Sequence, residues 1–152
     1  MHRFLVAVIF AAPVALAGCA SKPDGPLVQN VCIEVAQETP QEIAYVRRKA
    51  SEYLKQYGFN LAETECEVSV KYERFGNFQA ETVVTGFFWK SSSGYWSQEG
   101  ILAVNYKGRM LVEDQSMNLR GYSSKQDLLN DLAWAVVKPV TRMFRPASPP
   151  PK

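Results

Sequence analysis

Histidine is almost missing from this chain of 152 residues: the single one is His2. It lies in Met1-His2-Arg3, a positive n-region ahead of an apolar run, which a signal peptide loses on processing. Ser-His-Asp and Cys-His nucleophilic systems are then excluded. Histidine-containing zinc sites are excluded too, and two cysteines alone cannot complete a structural one. Neither a GxGxxG nor a GxxxxGK[ST] phosphate loop occurs. Long hydrophobic runs are also missing. The apolar stretch from Phe4 to Ala17 is 14 residues and contains Pro13, whereas a transmembrane helix needs about 20. Excess charge of either sign is missing, with 17 Lys+Arg against 15 Asp+Glu. No basic field points to nucleic acid, and no long charge run marks an interaction tail. No internal repeat is visible. The expectation is no catalytic residue, no metal, no cofactor and no enzymatic activity.

What is present begins at the N-terminus. Phe4 to Ala15 have the length of a signal-peptide h-region, and small residues, Ala17 and Gly18, follow. Leu16-Ala17-Gly18-Cys19 resembles the lipobox of bacterial lipoproteins. The resemblance implies a diacylglycerol on the Cys19 sulfur, cleavage just before Cys19 and acylation of the new amino group. Two or three acyl chains hold a membrane far more tightly than one. Ala20 and Ser21 follow the cysteine, with no aspartate. For a Gram-negative source, this implies sorting to the outer membrane, with the domain facing the periplasm. Residues 1–18 are thus expected as signal peptide. Removing those 18 of 152 residues leaves 134, enough for one domain with a real core.

Cys32 and Cys66 remain once Cys19 carries lipid. An even pair in an oxidising compartment is most simply a disulfide; two buried thiols are the alternative. Cys32 alternates out of phase with Val31, Ile33 and Val35, while Cys66 is in phase with Val68, Val70 and Tyr72. Facing one another requires a bulge, or a cysteine at a strand end.

Residues 19–30 contain Pro23, Gly25 and Pro26 and read as lipidated cysteine plus tether. Residues 145–152 carry four prolines and read as an extended tail. The domain is expected over residues 31–144. Val31 to Ala36 reads as a strand. Thr39, Pro40 and Glu42 mark the start of a helix that ends near Gly58. Strands are expected over 66–72, 80–90, 101–106 and 110–113, with Lys107-Gly108 as a tight turn. Ser124 and Asp127 mark a last helix to Phe144, with a kink or break at Pro139. The fold class is α+β: an antiparallel sheet of about five strands with two helices packed on one face.

Val31-Cys32-Ile33-Glu34, a helix ending at Gly58-Phe59, and Cys66 opening the Val68-Ser69-Val70-Lys71-Tyr72 strand are similar to small proteobacterial periplasmic lipoproteins of unknown function. That resemblance implies fold class and location, and no activity.

Carboxylate pairs can hydrolyse glycosides without histidine. Glu63, Glu65 and Glu67, Glu113-Asp114, and Asp127 with Asp131 are the candidates, but their spacing places them on polar faces, the normal condition of a surface. The aromatics suggest contact instead. Phe75 and Phe78 flank Gly76-Asn77 in one expected loop, and Tyr95-Trp96 lie in a second, Ser91 to Ser97. Aromatic loops serve as contact surfaces for sugars or proteins. The opposing reading makes Phe87 or Phe88 and Trp89 core, with Tyr95 and Trp96 covering a sheet end. The functional expectation is a binding or scaffolding lipoprotein of the cell envelope, using Phe75, Phe78, Tyr95 and Trp96. The alternative is a ligand- or glycan-binding lipoprotein using the same residues.

Overall fold

The structure is a computed structural model describing residues 24–85 and 90–147, with residues 76–85 and 90–94 described by backbone alone. The Leu16–Cys19 segment, Gly86 to Trp89, the Phe78 side chain and Pro149 to Pro151 lie outside the described residues.

The order is β1 (Leu27–Val28), β2 (Asn30–Val35), α1 (Pro40–Gln56), β3 (Asn60–Leu61), β4 (Val68–Thr85), β5 (Lys90–Tyr106), β6 (Arg109–Tyr122), α2 (Lys125–Met143) and β7 (Arg145–Pro146). The main sheet has five strands in the order β3-β2-β4-β5-β6, and with two helices among the described residues the class is α+β. The pairings β4–β5 and β5–β6 are antiparallel, as expected. In contrast, β2 runs parallel to both β3 and β4. Helix α1 carries the chain back before the next strand starts, and a helical crossover produces parallel neighbours.

Alternation fixes which face of the sheet is dry. Val31, Ile33 and Val35 pair in register with Val68, Val70 and Tyr72, and all six are buried. Tyr72 and Val70 pair in turn with Leu102 and Val104 of β5, also buried. Successive residues point to opposite faces, so this set lies on one side of the sheet. It forms a single core with Val46, Ala50 and Leu54 of α1 and Leu128, Leu132, Val136 and Val140 of α2.

Both helices start where their caps predict. Thr39 Oγ1 accepts from the Glu42 N–H at 3.2 Å, with Pro40 in the first turn. Ser124 Oγ accepts from the Asp127 N–H at 3.1 Å and donates to its carboxylate at 2.7 Å. These bonds satisfy amides that have no helical partner. Of the kink or break expected at Pro139, the break is absent: α2 continues through it to Met143. Val136 and Val140, on either side, are buried in the core, and that packing outweighs the lost backbone bond.

The disulfide joins Cys32 and Cys66, with Cα atoms 5.5 Å apart. The phase conflict resolves at a strand end. Cys66 precedes β4, after Glu65 in a left-handed conformation at φ 53°.

The segments expected as tether and tail differ from the sequence reading. Leu27–Val28 and Arg145–Pro146 form a two-stranded parallel sheet. The Arg145 N–H donates to the Pro26 carbonyl at 3.0 Å, and the Ala147 N–H to Val28 at 2.9 Å. Val28 is fully buried, so apolar burial recruits residues that a Pro/Gly count assigns to a linker.

Candidate functional site

The long strands place the aromatic residues. Two expected loops, the one around Gly76-Asn77 and the one from Ser91 to Ser97, are instead strand: β4 runs 18 residues and β5 runs 17, where about 5–6 is ordinary. Phe75 and Phe78 therefore lie on β4, and Tyr95 and Trp96 on β5, rather than in loops. Gly76-Asn77 and the serines suggested turns, but backbone pairing carries through them. Phe78 pairs with Ser97, Gln79 with Trp96 and Ala80 with Tyr95.

The paired strands continue past the rest of the sheet. The last β2–β4 pair is Val35 with Tyr72, and the β6 pairing reaches only to Trp96 with Tyr122. Beyond that line, residues 80–85 and 90–95 pair only with each other among the described residues. This is a two-stranded ribbon with both edges open, a geometry that templates further pairing. The register shifts between Arg74 and Gly76, which leaves Phe75 as the extra residue of a bulge at the root of the ribbon.

Phe75, Tyr95 and Trp96, the three whose side chains are described, do not converge. Phe75 is 69% exposed at the bulge. Tyr95 is 36% exposed, about 13 Å further along β5 at strand spacing. Trp96 follows Tyr95 directly and so faces the other way. It packs against the core, and the Lys125 ammonium sits 5.2 Å above its ring. Phe75 and Tyr95 are thus exposed side chains spaced along one strand pair.

Lys125 is the residue that composition and spacing do not flag. Its ammonium lies 2.8 Å from Glu38 Oε2 and 2.5 Å from Glu42 Oε1. The Glu38 bond first, and then the Glu42 bond, hold it above the usual lysine value. Arg74 Nη1 reaches the same Glu38 at 3.4 Å. This network fastens the loop before α1, the start of α2 and the ribbon root to one another, with Trp96 held beneath. In the sequence only the adjacent Ser124–Asp127 cap marks its position, and a cap carries no sign of an ion-pair network.

Three of the candidate carboxylates, Glu63, Glu67 and Asp127, have structural partners. Glu67 Oε2 accepts from the Gln29 N–H at 2.7 Å, Glu63 pairs with Arg47 at 2.6 Å, and Asp127 Oδ2 accepts from the Ser124 hydroxyl at 2.7 Å at the start of α2. Among the described residues no group of three or more His, Cys, Asp or Glu is arranged for a metal. Among them, too, no helix is long and apolar enough to cross a membrane.

No protein-family model matches this chain, and no curated protein does. Solved structures similar to it include a minor lipoprotein from Acinetobacter baumannii, at 9% identity and a TM-score of 0.49, covering 75% of this chain and 93% of that one. A PelC dodecamer from Paraburkholderia phytofirmans is similar at 14% identity and a TM-score of 0.46, covering 82% of this chain and 94% of that one.

Proposed function

We propose that this protein is a lipoprotein of the outer membrane, anchored through Cys19 and facing the periplasm, whose domain acts by binding an envelope protein along the β4–β5 ribbon. The ribbon carries this reading. Two strands alone are marginal in water, and an open edge is completed by a strand from a partner. Phe75 and Tyr95 add exposed aromatic area along the same ribbon, the residue type that dominates contact energy in protein interfaces. Trp96, held under Lys125, keeps the root rigid. The mature chain contains no histidine, and binding requires none.

A photoreactive aromatic residue at position 95, introduced in intact cells, tests the binding surface. A discrete protein adduct is expected there, weakened by Phe75→Ala, with none when the probe stands at Asn118 on β6. Adducts with polysaccharide alone transfer the site to glycan binding. No adduct at position 95 ends the proposal. The anchor has its own test: Cys19→Ala abolishes incorporation of a fatty-acid analogue, and undiminished labelling refutes it.

A further inference from the structure

A groove of about 330 Å³ lies between the C-terminal half of α2 and strands β5 and β6. That volume is at the small end of ligand sites, about 300–1,000 Å³. Its floor is Leu102, Val112, Met117, Pro139 and Met143. Two methionines give it the adaptable surface that accepts flexible apolar chains. Lys138 and Arg142 stand on its rim, both exposed. They are four residues apart on one helix, so they are neighbours that repel one another. Neither has a carboxylate partner among the described residues, and no carboxylate lines the groove. Pro139 lacks an N–H, so α2 returns no donor to the Ala135 carbonyl, and Ala135 also lines the groove. An apolar floor with paired cations and a spare acceptor suits an amphiphile with an anionic, hydroxyl-bearing head.

The path of the chain points to the source of that amphiphile. Gly25 is pressed against the end of α2: a Cβ there would sit 1.7 Å from the Met143 carbonyl oxygen. Arg145 Nε donates to the Gly25 carbonyl at 2.8 Å and fixes the approach. The chain thus enters the domain beside Met143, which lines the groove. Cys19 is five residues before Asp24 and so within about 18 Å of it at full extension.

We infer that this groove binds an anionic phospholipid of the membrane that anchors the protein, with an acyl chain on the apolar floor and the phosphate against Lys138 and Arg142. The inference rests on the reading of Cys19 as the lipid anchor. It gives the domain a second, reversible hold on the bilayer and a preferred orientation beneath it.

The test uses the acylated full protein in detergent micelles with two lipid probes, phosphatidylglycerol and phosphatidylcholine, bearing the same photoactivatable acyl chain. Phosphatidylglycerol is expected to label the peptides containing Met117 or Met143. The Lys138→Gln, Arg142→Gln double variant lowers that labelling about fivefold or more, from the loss of two ion contacts. Both residues are exposed, and Lys138→Gln alone carries the comparison if the double variant misfolds. Equal labelling by phosphatidylcholine, labelling outside the groove, or labelling indifferent to the variant overturns the inference. So does complete competition by inorganic phosphate, which marks an anion site without a lipid. Intact mass separates the two readings. An unacylated protein that still labels removes the anchor and leaves the groove; an acylated protein that does not label removes only the groove.

Discussion

Gln98 Nε2 donates to the Tyr72 hydroxyl at 2.8 Å, and both residues are only 1% exposed. This bond crosses from β4 to β5 at the edge of the core, one step before the ribbon leaves the sheet. A buried polar pair must be complete, because either half alone is desolvated without return. Tyr72→Phe is therefore expected to cost about 1–3 kcal/mol by orphaning the amide. Gln98→Leu in the Tyr72→Phe background should recover part of that loss. Urea titration of the two single variants and the pair measures the coupling, and strict additivity would show that the bond contributes nothing.

Gly100 sets the limit on packing at the same place. A Cβ there would meet the Glu73 carbonyl oxygen at 2.4 Å and the Tyr72 ring at 2.5 Å. The first neighbour is backbone and cannot swing aside. Gly100→Ala is expected to destabilise by about 1–3 kcal/mol as overpacking. A melting temperature unchanged from wild type contradicts this.

The Cys32–Cys66 bond spans 34 positions of sequence and encloses α1. Replacing both cysteines by serine is expected to lower stability by about 2–4 kcal/mol, chiefly by releasing the unfolded chain. Non-reducing peptide mapping should find the two linked. Full alkylation of both in unreduced, denatured protein shows the bond absent.

Alkali should loosen the domain through Tyr122. Burial first, and then the hydrogen bond to Asp131, push its phenol up to about 12, against about 10 for an unperturbed tyrosine. The folded state thus favours the protonated phenol. Its contribution is complete below about pH 10 and is lost as the pH rises through about 12. Melting temperature should fall across that window, and Tyr122→Phe should flatten the fall. Some decline persists in the variant, because burial also raises Tyr72. A variant curve that coincides with wild type excludes Tyr122 as a contributor.

The helices were legible from residues with a specific local job. Thr39, Pro40, Ser124 and Asp127 announce helix starts by the hydrogen bonds they make or forgo. The half-buried strands were legible from alternation, Val68-Val70-Tyr72 and Leu102-Val104 above all. The ribbon was not. Gly76-Asn77 and the Ser91-Ser92-Ser93-Gly94 run pair through their backbones, and backbone pairing leaves no hydrophobic period to read. The parallel placement of β2 was hidden for a related reason, since it depends on where α1 returns the chain. At the site, aromatic residues could be named from the sequence but not grouped. Only their place on a strand, in β5 rather than in a loop, shows that Tyr95 and Trp96 face opposite ways. Lys138 and Arg142 did not stand out as a pair because the groove between them and β5–β6 depends on how α2 packs across the sheet.

The parallel pairing of β1 with β7 gives the domain a mechanical character. Tension arriving along the chain at Gly25 meets the bonds Arg145 N–H to Pro26 and Ala147 N–H to Val28 side by side. Force along the strand axis stretches both together rather than peeling one after the other. Arg145, bonded to the Gly25 carbonyl through its side chain, takes up strain at the first point of pull. The load then passes into α2 through Phe144, which is buried in the core. A pull on the chain ahead of Gly25 is thereby shared by the last helix before the first strand of the main sheet can be drawn out.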